Sequence, residues 1–259
     1  MMRYKISKLF SSISTAILIA ITVVGCMFYP NQGNEIRMEI PRYDEGACII
    51  EYSGYTISYN EENRIPVWVA YELTRDETSG TITRSGKKFR PDERVSAVQA
   101  DDNDYRNSGW SRGHMAPAGD FKWDEKAMLD TFYFTNCCPQ DEKLNSGSWN
   151  VLENKVRIWA REFGSVYVVT GPIVGRNKNG KIGNHNVVVP DAFFKAVLVY
   201  ADDGYHGVGF VMLNTSESQR LRDSYLSINE LEKITGLDLF PHLSNPVEDV
   251  VDLKFWKIH

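Results

Sequence analysis

Runs of β-branched and aromatic residues recur along the chain, and they constrain its fold more strongly than any other feature. The segments are "ACIIEYSGYTISYNEENRIPVWVAYELT", "FYFTNCCPQ", "SVYVVTGPIVG", "HNVVVPDAFFKAVLVY" and "GVGFVMLN". The first contains two runs in which apolar and polar residues alternate, with Asn60–Pro66 between them. Val, Ile and Tyr favour strands, and the Gly, Asn and Pro residues at the ends of these runs favour turns. The chain is therefore predicted to form an antiparallel sheet.

Two other segments have the periodicity of helices. In "LNSGSWNVLENKVRIWAREFG" the apolar residues recur at spacings of three and four, and Gly164 is placed to end the helix. In "SINELEKITG", Ser227 and Glu230 have the spacing of a capping box and Gly236 follows the last turn. Together these patterns predict an α+β fold, a central antiparallel sheet flanked by helices.

The N-terminal segment has the composition of a targeting sequence. "MMRYKISKLF" contains basic residues and no acid, and the apolar run "ISTAILIAITVVGC" ends at Cys26. This run is shorter than the ~20 residues that span a bilayer comfortably, and "VVGC" resembles a bacterial lipobox. We therefore expect residues 1–25 to be a lipoprotein-type signal peptide, residues 26–46 a tether, and residues 47–259 one catalytic domain. An uncleaved membrane anchor and a plain cleaved signal are the alternatives.

This interpretation predicts an exported protein, attached through Cys26 to a membrane on the periplasmic or outer surface, or else secreted. Three cysteines follow Cys26, so an oxidising compartment predicts one disulfide and one free thiol. Adjacent Cys137 and Cys138 are poorly placed to bridge each other. We therefore expect Cys48 to pair with one of them.

Net charge limits how the chain can attract a polyanion. The formal charge is −5, and it becomes more negative if the basic N-terminal segment is removed. A negative protein is not steered toward nucleic acid by its overall field. A polyanionic substrate would therefore need local positive charge and a bound metal ion.

The residues that suggest chemistry lie in two stretches. "SRGHMAPAGD" places Arg112 and His114 together in a turn-rich segment. The predicted helix presents Asn145, Glu153 and Arg157 along one edge, because they are separated by multiples of four residues. Metal-assisted phosphodiester hydrolysis uses such groups: Mg²⁺ prefers oxygen ligands, a neutral imidazole takes a proton from water, and an arginine stabilises the added charge. Unperturbed His titrates near pH ~6.5, so the rate is expected to fall below that pH.

Five motifs follow one another along the chain: "SRGHMAPAGDF", "TNCCPQDEKLNSGSWNVLE", "VYVVTGPI", "VVVPDAFFKAVL" and "LEKITGLDLF". In this order they resemble the DNA/RNA non-specific endonuclease family, the endonuclease G-like ββα-metal nucleases. The resemblance runs from about "WVAYELT" to "TGLDLFPHL", about two-thirds of the chain. The resemblance implies an α+β fold with a ββα-metal active-site motif. It also implies that His114 is the general base, that Asn145 is the one direct protein ligand of the metal, and that Glu153 contacts the metal through water.

The same resemblance makes Arg112 and Arg157 phosphate-binding residues and Asn136 a residue that supports the site. It also matches Gln140 to the family's Pro-Gln pair. A further, upstream arginine of the family cannot be assigned, because Lys87, Lys88 and Arg90 compete for its place, and these three are candidate substrate-binding residues. The family's usual Asp-Arg-Gly-His tetrad begins here with Ser111.

The function implied is an exported, metal-dependent endonuclease that cleaves both DNA and RNA and leaves 5′-phosphate products. Mg²⁺ is the expected cofactor, with Mn²⁺ or another divalent cation as an alternative. A competing hypothesis is a catalytically weak surface lipoprotein that binds nucleic acid on the same scaffold, which Ser111 and the negative charge favour. The remaining histidines have no partnered motif and are interpreted as structural or surface residues: His185, His206, His242 and His259.

Overall fold

A computed structural model describes residues 36–175 and 179–258 of the chain. The predicted signal peptide, Cys26 and His259 lie outside the described residues. Within the two described ranges, no helix combines the length and the apolar character needed to cross a membrane.

A seven-stranded antiparallel sheet forms the centre of the fold, as predicted. Its strand order is β1-β2-β3-β6-β9-β10-β11, and the two-stranded sheets β4-β5 and β7-β8 lie outside it. The strands are β1 Cys48–Glu51, β2 Thr56–Asn60, β3 Ile65–Thr74, β4 Ser111–His114, β5 Cys137–Gln140, β6 Ser165–Ile173, β7 Lys181–Ile182, β8 Val187–Val188, β9 Ala192–Ala201, β10 Gly204–Leu213 and β11 Tyr225–Leu226.

Helices cover both faces of this sheet. They are α1 Asp102–Tyr105, α2 Glu125–Asp130, α3 Asn150–Phe163, α4 Leu221–Ser224, α5 Ile228–Thr235 and α6 Asn245–Asp249. Successive residues of β3 point to opposite faces, so Tyr71 packs in the core beneath α3, whereas Ala70 packs in the core beneath α5. The apolar stripes of α3 and α5 therefore bury against opposite faces of one sheet.

Local signals correctly predicted both ends of α5 and the C-terminal end of α3. The Ser227 hydroxyl accepts a hydrogen bond from the Glu230 amide at 3.1 Å, and the Glu230 carboxylate accepts one from the Ser227 amide at 3.0 Å. Gly236 follows α5 in the left-handed conformation, with φ at 73°. Gly164 ends α3 with φ at 97°, a conformation that glycine adopts without strain.

Two predicted strands are interrupted. Pro190 lacks the N–H that a sheet ladder requires, so "HNVVVPDAFFKAVLVY" forms the short β8 and then β9. The first residues of "FYFTNCCPQ" form a 3₁₀ turn, Phe134–Asn136, and only Cys137–Gln140 form a strand. The first β-rich segment contains three strands rather than two, because the chain turns again between β1 and β2.

The start of the long helix also differs from the prediction. Leu144–Trp149 form a π-helical turn in which Gly147 leaves helical geometry, with φ at −104° and ψ at −107°. Regular α-helix begins only at Asn150. Asn145 therefore lies before a kink, and the predicted uninterrupted row of four-residue spacings is wrong at this end.

The predicted tether is packed on the domain where the structure describes it, from residue 36 onward. Met38 is buried in the core beneath α5. The Arg37 guanidinium donates hydrogen bonds to Glu51 at 2.9 Å and to the Thr56 hydroxyl at 2.8 Å. Residues 36–46 therefore form part of the folded domain.

The predicted disulfide is wrong. Cys48 is disulfide-bonded, but Cys137 and Cys138 are both free, buried thiols. Cys137 and Cys138 lie in β5, which pairs with β4, whereas Cys48 begins β1 at the edge of the large sheet. Strand pairing thus separates these cysteines, and spacing along the sequence could not show it.

Candidate active site

Strands β4 and β5 and helix α3 form a ββα unit. The two strands pair antiparallel, with His114 opposite Cys137 and Ser111 opposite Gln140. The chain then passes through the π-helical turn into α3. In this unit the strand that carries "SRGH" pairs with the strand that leads into the long helix.

His114 lies in an aromatic pocket at the end of β4. The side chain is buried, its ring centroid is 4.7 Å from that of Phe89 and 5.1 Å from that of Phe132, and its Nε2 has no hydrogen-bond partner among the described residues. Burial, followed by the nearby positive charge of Arg84, lowers the pKa of His114 to about 3. The imidazole is therefore neutral at neutral pH, with one nitrogen available to accept a proton.

This environment changes the expected pH dependence. The ordinary pKa of ~6.5 does not apply to His114 in the folded protein, so its protonation does not set an acid limb near that pH. In the unfolded chain the imidazole takes up a proton below ~6.5, whereas the folded state takes it up only near pH 3. The neutral, buried His114 therefore makes its full contribution to the free energy of unfolding above pH ~6.5. That contribution is lost as the pH falls toward 3.

An NMR titration in chelator tests this directly. We expect the Cε1–H resonance of His114, assigned by comparison with His114→Gln, to keep its position between about pH 8 and about pH 5. A midpoint near 6.5 would contradict the lowered pKa and the buried environment that causes it.

Asn136 fixes the backbone next to His114. Its side-chain oxygen accepts a hydrogen bond from the Ala116 amide at 2.8 Å, and its Nδ2 donates to the carbonyls of Ala116 at 3.0 Å and Thr131 at 2.9 Å. Three bonds from one buried amide tie the segment after β4 to the segment before β5. Asn136 therefore contacts backbone rather than presenting its side chain to a ligand.

The glycine between Arg112 and His114 is required by a close approach. A Cβ at Gly113 would lie 2.2 Å from the Gln140 side-chain oxygen. Gln140 is fully buried, and neither its Oε1 nor its Nε2 has a hydrogen-bond partner among the described residues. The glycine at position 113 thus follows from the packing of β4 against the Gln140 side chain.

Helix α1 holds Arg112 in place. The Arg112 Nη2 lies 2.7 Å from the Asp102 carboxylate and donates to the Asp102 carbonyl at 3.0 Å. Its guanidinium carbon lies 5.3 Å from the centroid of the Tyr105 ring. Because Asp102 is largely exposed, this ion pair is weak and a phosphate could replace it.

Arg157 belongs to a buried charge network on α3. Its Nη1 donates to Asp120 at 2.5 Å and its Nη2 to the Asn154 side chain at 2.9 Å. The Tyr71 hydroxyl donates to the other oxygen of Asp120 at 2.8 Å. Two of the three guanidinium nitrogens of Arg157 are therefore already hydrogen-bonded within the protein, one to Asp120 and one to Asn154.

Glu153 lies one turn before Arg157 on α3. Burial raises its pKa, the charge of Asp120 raises it further, and the charges of Lys195, Arg157 and Arg84 oppose the shift. The carboxylate thus depends on surrounding cations for its ionised form.

The basic loop before β4 contributes a residue that the sequence did not single out. Lys87 pairs with Glu125 at 2.7 Å, and Arg90 stacks on the Tyr133 ring at 4.2 Å, while Lys88 is exposed. Arg84 is instead the basic residue whose charge acts on both His114 and Glu153. No spacing in the sequence identifies it, because the loop is brought to His114 only by tertiary packing.

Asn145 and Glu153 provide the oxygen donors expected of a site for a hard cation. The Asn145 side chain is half-buried and makes no hydrogen bond with the described residues, so its carbonyl oxygen is available. An amide oxygen and a carboxylate suit Mg²⁺, which retains several water ligands. The residues present therefore fit a divalent metal.

A second group of candidate ligands lies at α1. Ligand atoms of Asp101, Asp104 and His185 all fall within 4.8 Å of one another. Asp101 accepts hydrogen bonds from the backbone as the cap of α1, and Asp104 accepts from the His185 amide at 3.0 Å and contacts its Nδ1 at 2.8 Å. The atoms that could bind a metal here already make hydrogen bonds within the protein. These bonds also give His185 a structural partner, Asp104.

Comparison with known proteins assigns the chain to a family. The sequence profile of the DNA/RNA non-specific endonucleases matches residues 36–245. The chain belongs to this family. A crystal structure of EndoG with EndoGI, described as showing the mechanism of EndoG inhibition, superposes with a TM-score of 0.73 at 30% identity, covering 81% of this chain and 91% of that one.

Curated relatives agree with this assignment. The mitochondrial nuclease EXOG of Danio rerio is 36% identical over 82% of this chain and 67% of its own length, and the Homo sapiens protein is 36% identical over 77% and 58%. Mitochondrial endonuclease G of Bos taurus is 35% identical over 74% of this chain and 68% of its own length. The chain thus spans 56% to 67% of the lengths of the EXOG relatives.

The predicted localisation is contradicted by these relatives. EXOG, endonuclease G and nuclease 1 of Schizosaccharomyces pombe are all named as mitochondrial nucleases. The expectation of a secreted or lipid-anchored protein, attached through Cys26, is therefore wrong. A basic, serine-containing, acid-free start is common to secretory and organellar targeting segments, so the N-terminal composition did not distinguish them.

Proposed function

We propose that this member of the family is a divalent-metal-dependent endonuclease that hydrolyses phosphodiester bonds in DNA and RNA and leaves 5′-phosphate ends. The observation that supports this most strongly is His114: a buried, neutral imidazole whose Nε2 has no partner among the described residues, on a ββα unit with oxygen donors at its helix.

His114 accepts a proton from the attacking water through the imidazole nitrogen that water can reach, since its Nε2 is itself buried. Its low pKa makes it a weak base in the free protein, because burial and Arg84 both disfavour the charged ring. A phosphodiester bound beside it brings negative charge, which stabilises the imidazolium and raises its pKa. Substrate binding thus increases the basicity of the residue when it is needed.

Asn145 and Glu153 would hold the metal, Asn145 directly and Glu153 through water. When bound there, Mg²⁺ or Mn²⁺ would supply charge neutralisation at the phosphate and at the leaving 3′-oxygen. Arg84 and Arg112 contribute positive charge for the phosphate, with Lys88 and Arg90 on the flanking loop. Arg157 acts indirectly, since it holds Asp120, whose charge acts on Glu153.

Lack of sugar and base specificity follows from the kind of groups present. Arginines, a lysine and a metal ion recognise phosphate, which DNA and RNA share, and carry no information about base edges. The Ser111 departure does not leave Arg112 without a carboxylate partner, because Asp102 provides one from α1.

The alternative is a nucleic-acid-binding protein with little catalytic activity, which Ser111 favours. The full chain should be incubated with plasmid DNA and with RNA, in Mg²⁺, in Mn²⁺ and in chelator. We expect both substrates to be cut with either metal and neither in chelator, with DNA ends that ligate without prior phosphorylation. Tight binding without cleavage would support the alternative, and cleavage in chelator would contradict the role of the metal.

A further inference from the structure

Lys195 is an unexpected residue in the core of the protein. It lies in the middle of β9, between Thr170 of β6 and Phe210 of β10, and its side chain has no exposed surface. Its Nζ has no hydrogen-bond partner among the described residues. A buried ammonium without hydrogen bonds is unfavourable unless nearby charge compensates it.

The surroundings of Lys195 supply that compensation. Its Nζ lies 4.9 Å from the centroid of the Trp149 ring, a distance at which the ring face attracts a cation. Trp149 is the last residue of the π-helical turn that carries Asn145, and Glu153 lies one helical turn further on. The ammonium therefore faces the segment that carries both proposed metal-binding side chains.

The Lys195 ammonium and the charges that act on it form a balanced set of two acids and two bases. Asp120, Glu153 and Arg157 are the charged groups whose fields act on Lys195. Asp120 already has Arg157 at 2.5 Å and the Tyr71 hydroxyl at 2.8 Å. Among the described residues Glu153 makes no direct ion pair, so Lys195 is the buried cation left to balance it.

We propose that Lys195 is a positioning residue for the metal-binding segment: its buried ammonium, held on the Trp149 ring, balances the charge of Glu153 and keeps that carboxylate directed into the site. This inference rests on the proposed function and assigns a role to a residue outside the motif of the catalytic groups. Loss of the ammonium leaves a net negative charge in the core, and the Glu153 carboxylate then turns toward Arg157 or toward solvent.

A double-mutant cycle tests the coupling. Lys195→Met, Glu153→Gln and the double variant are made in the full chain, and kcat and KM for plasmid are measured in Mg²⁺. We expect Lys195→Met to lower kcat by about 10- to 100-fold, as loss of an outer-shell partner does, with KM for nucleic acid nearly unchanged. In the Glu153→Gln background the same change should have little further effect.

A matched control is available on α3. Lys155 also lies over a tryptophan, with its Nζ 5.5 Å from the centroid of the Trp159 ring, but on a solvent-accessible side of the helix. Lys155→Met should leave kcat unchanged. A loss of kcat in Lys155→Met as large as in Lys195→Met would overturn the proposal, because it would show that removal of any stacked lysine disturbs the fold.

Urea unfolding in chelator provides a readout that is independent of activity. Lys195→Met should lower the unfolding midpoint, and Glu153→Gln added to it should restore part of the loss, because the uncompensated carboxylate is removed. Should Lys195→Met fail to fold, the double variant is compared with Glu153→Gln alone, and equal kcat supports the proposal. Additive effects on kcat and on the midpoint would overturn it.

An inactive wild-type chain would contradict the proposed function, whereas the stability cycle would still decide whether the two charges are coupled.

Discussion

Replacement of His114 with glutamine is expected to lower kcat by about 10²- to 10⁴-fold, the contribution typical of a positioned general base. The buried ring makes no hydrogen bond through Nε2 to the described residues, so the substitution removes no bond of that nitrogen from the fold. The amide of glutamine cannot take up the proton at neutral pH. Loss of activity without loss of structure is therefore the expected signature.

Single-turnover cleavage of plasmid measures this effect, with Mn²⁺ binding and the urea midpoint as controls on the same variant. Both controls should stay near the wild-type values, because His114 is not among the proposed metal-holding residues. A variant that keeps more than about a tenth of the wild-type rate would fall outside the range for a general base and would place the base elsewhere.

Replacement of Asn145 with alanine is expected to weaken divalent-metal binding and to lower kcat/KM by at least about 100-fold at a fixed, subsaturating metal concentration. Loss of outer-shell partners alone typically produces changes of 10- to 100-fold, and Asn145 is the proposed direct ligand. Its side chain makes no hydrogen bond with the described residues, so the fold should be unaffected.

Isothermal titration with Mn²⁺ and the metal dependence of the rate give the two measurements. Asn145→Asp keeps an oxygen ligand and should retain more activity than the alanine variant. Asn150→Ala, on the exposed start of α3, is the matched control and should behave as wild type. Equal metal affinities for wild type and Asn145→Ala would rule out the assigned ligand.

Features fixed by neighbouring residues could be predicted from the sequence. The Ser227–Glu230 capping box, the glycines that end α3 and α5, and the main β-rich runs depend on contacts within a few residues. Motif order then identified the ββα unit and the family. Local chemistry and resemblance together therefore accounted for the fold class and the family, whereas the roles of the catalytic groups stay predictions.

Features that depend on tertiary packing could not be predicted in the same way. The depressed pKa of His114 comes from the rings of Phe89 and Phe132 and from Arg84, all distant in the sequence. Burial of Lys195 under Trp149 has the same origin. The kink at Gly147 was also missed, since glycine permits that geometry without requiring it.

Diffraction from crystals grown with Mn²⁺, with data collected at the manganese edge, tests the central claim most directly. The account predicts one strong anomalous peak at a coordination distance from the Asn145 carbonyl oxygen, with the Glu153 carboxylate one water molecule away and His114 across the gap that a phosphate would fill. A peak at the Asp101, Asp104 and His185 group, with none at Asn145, would contradict it.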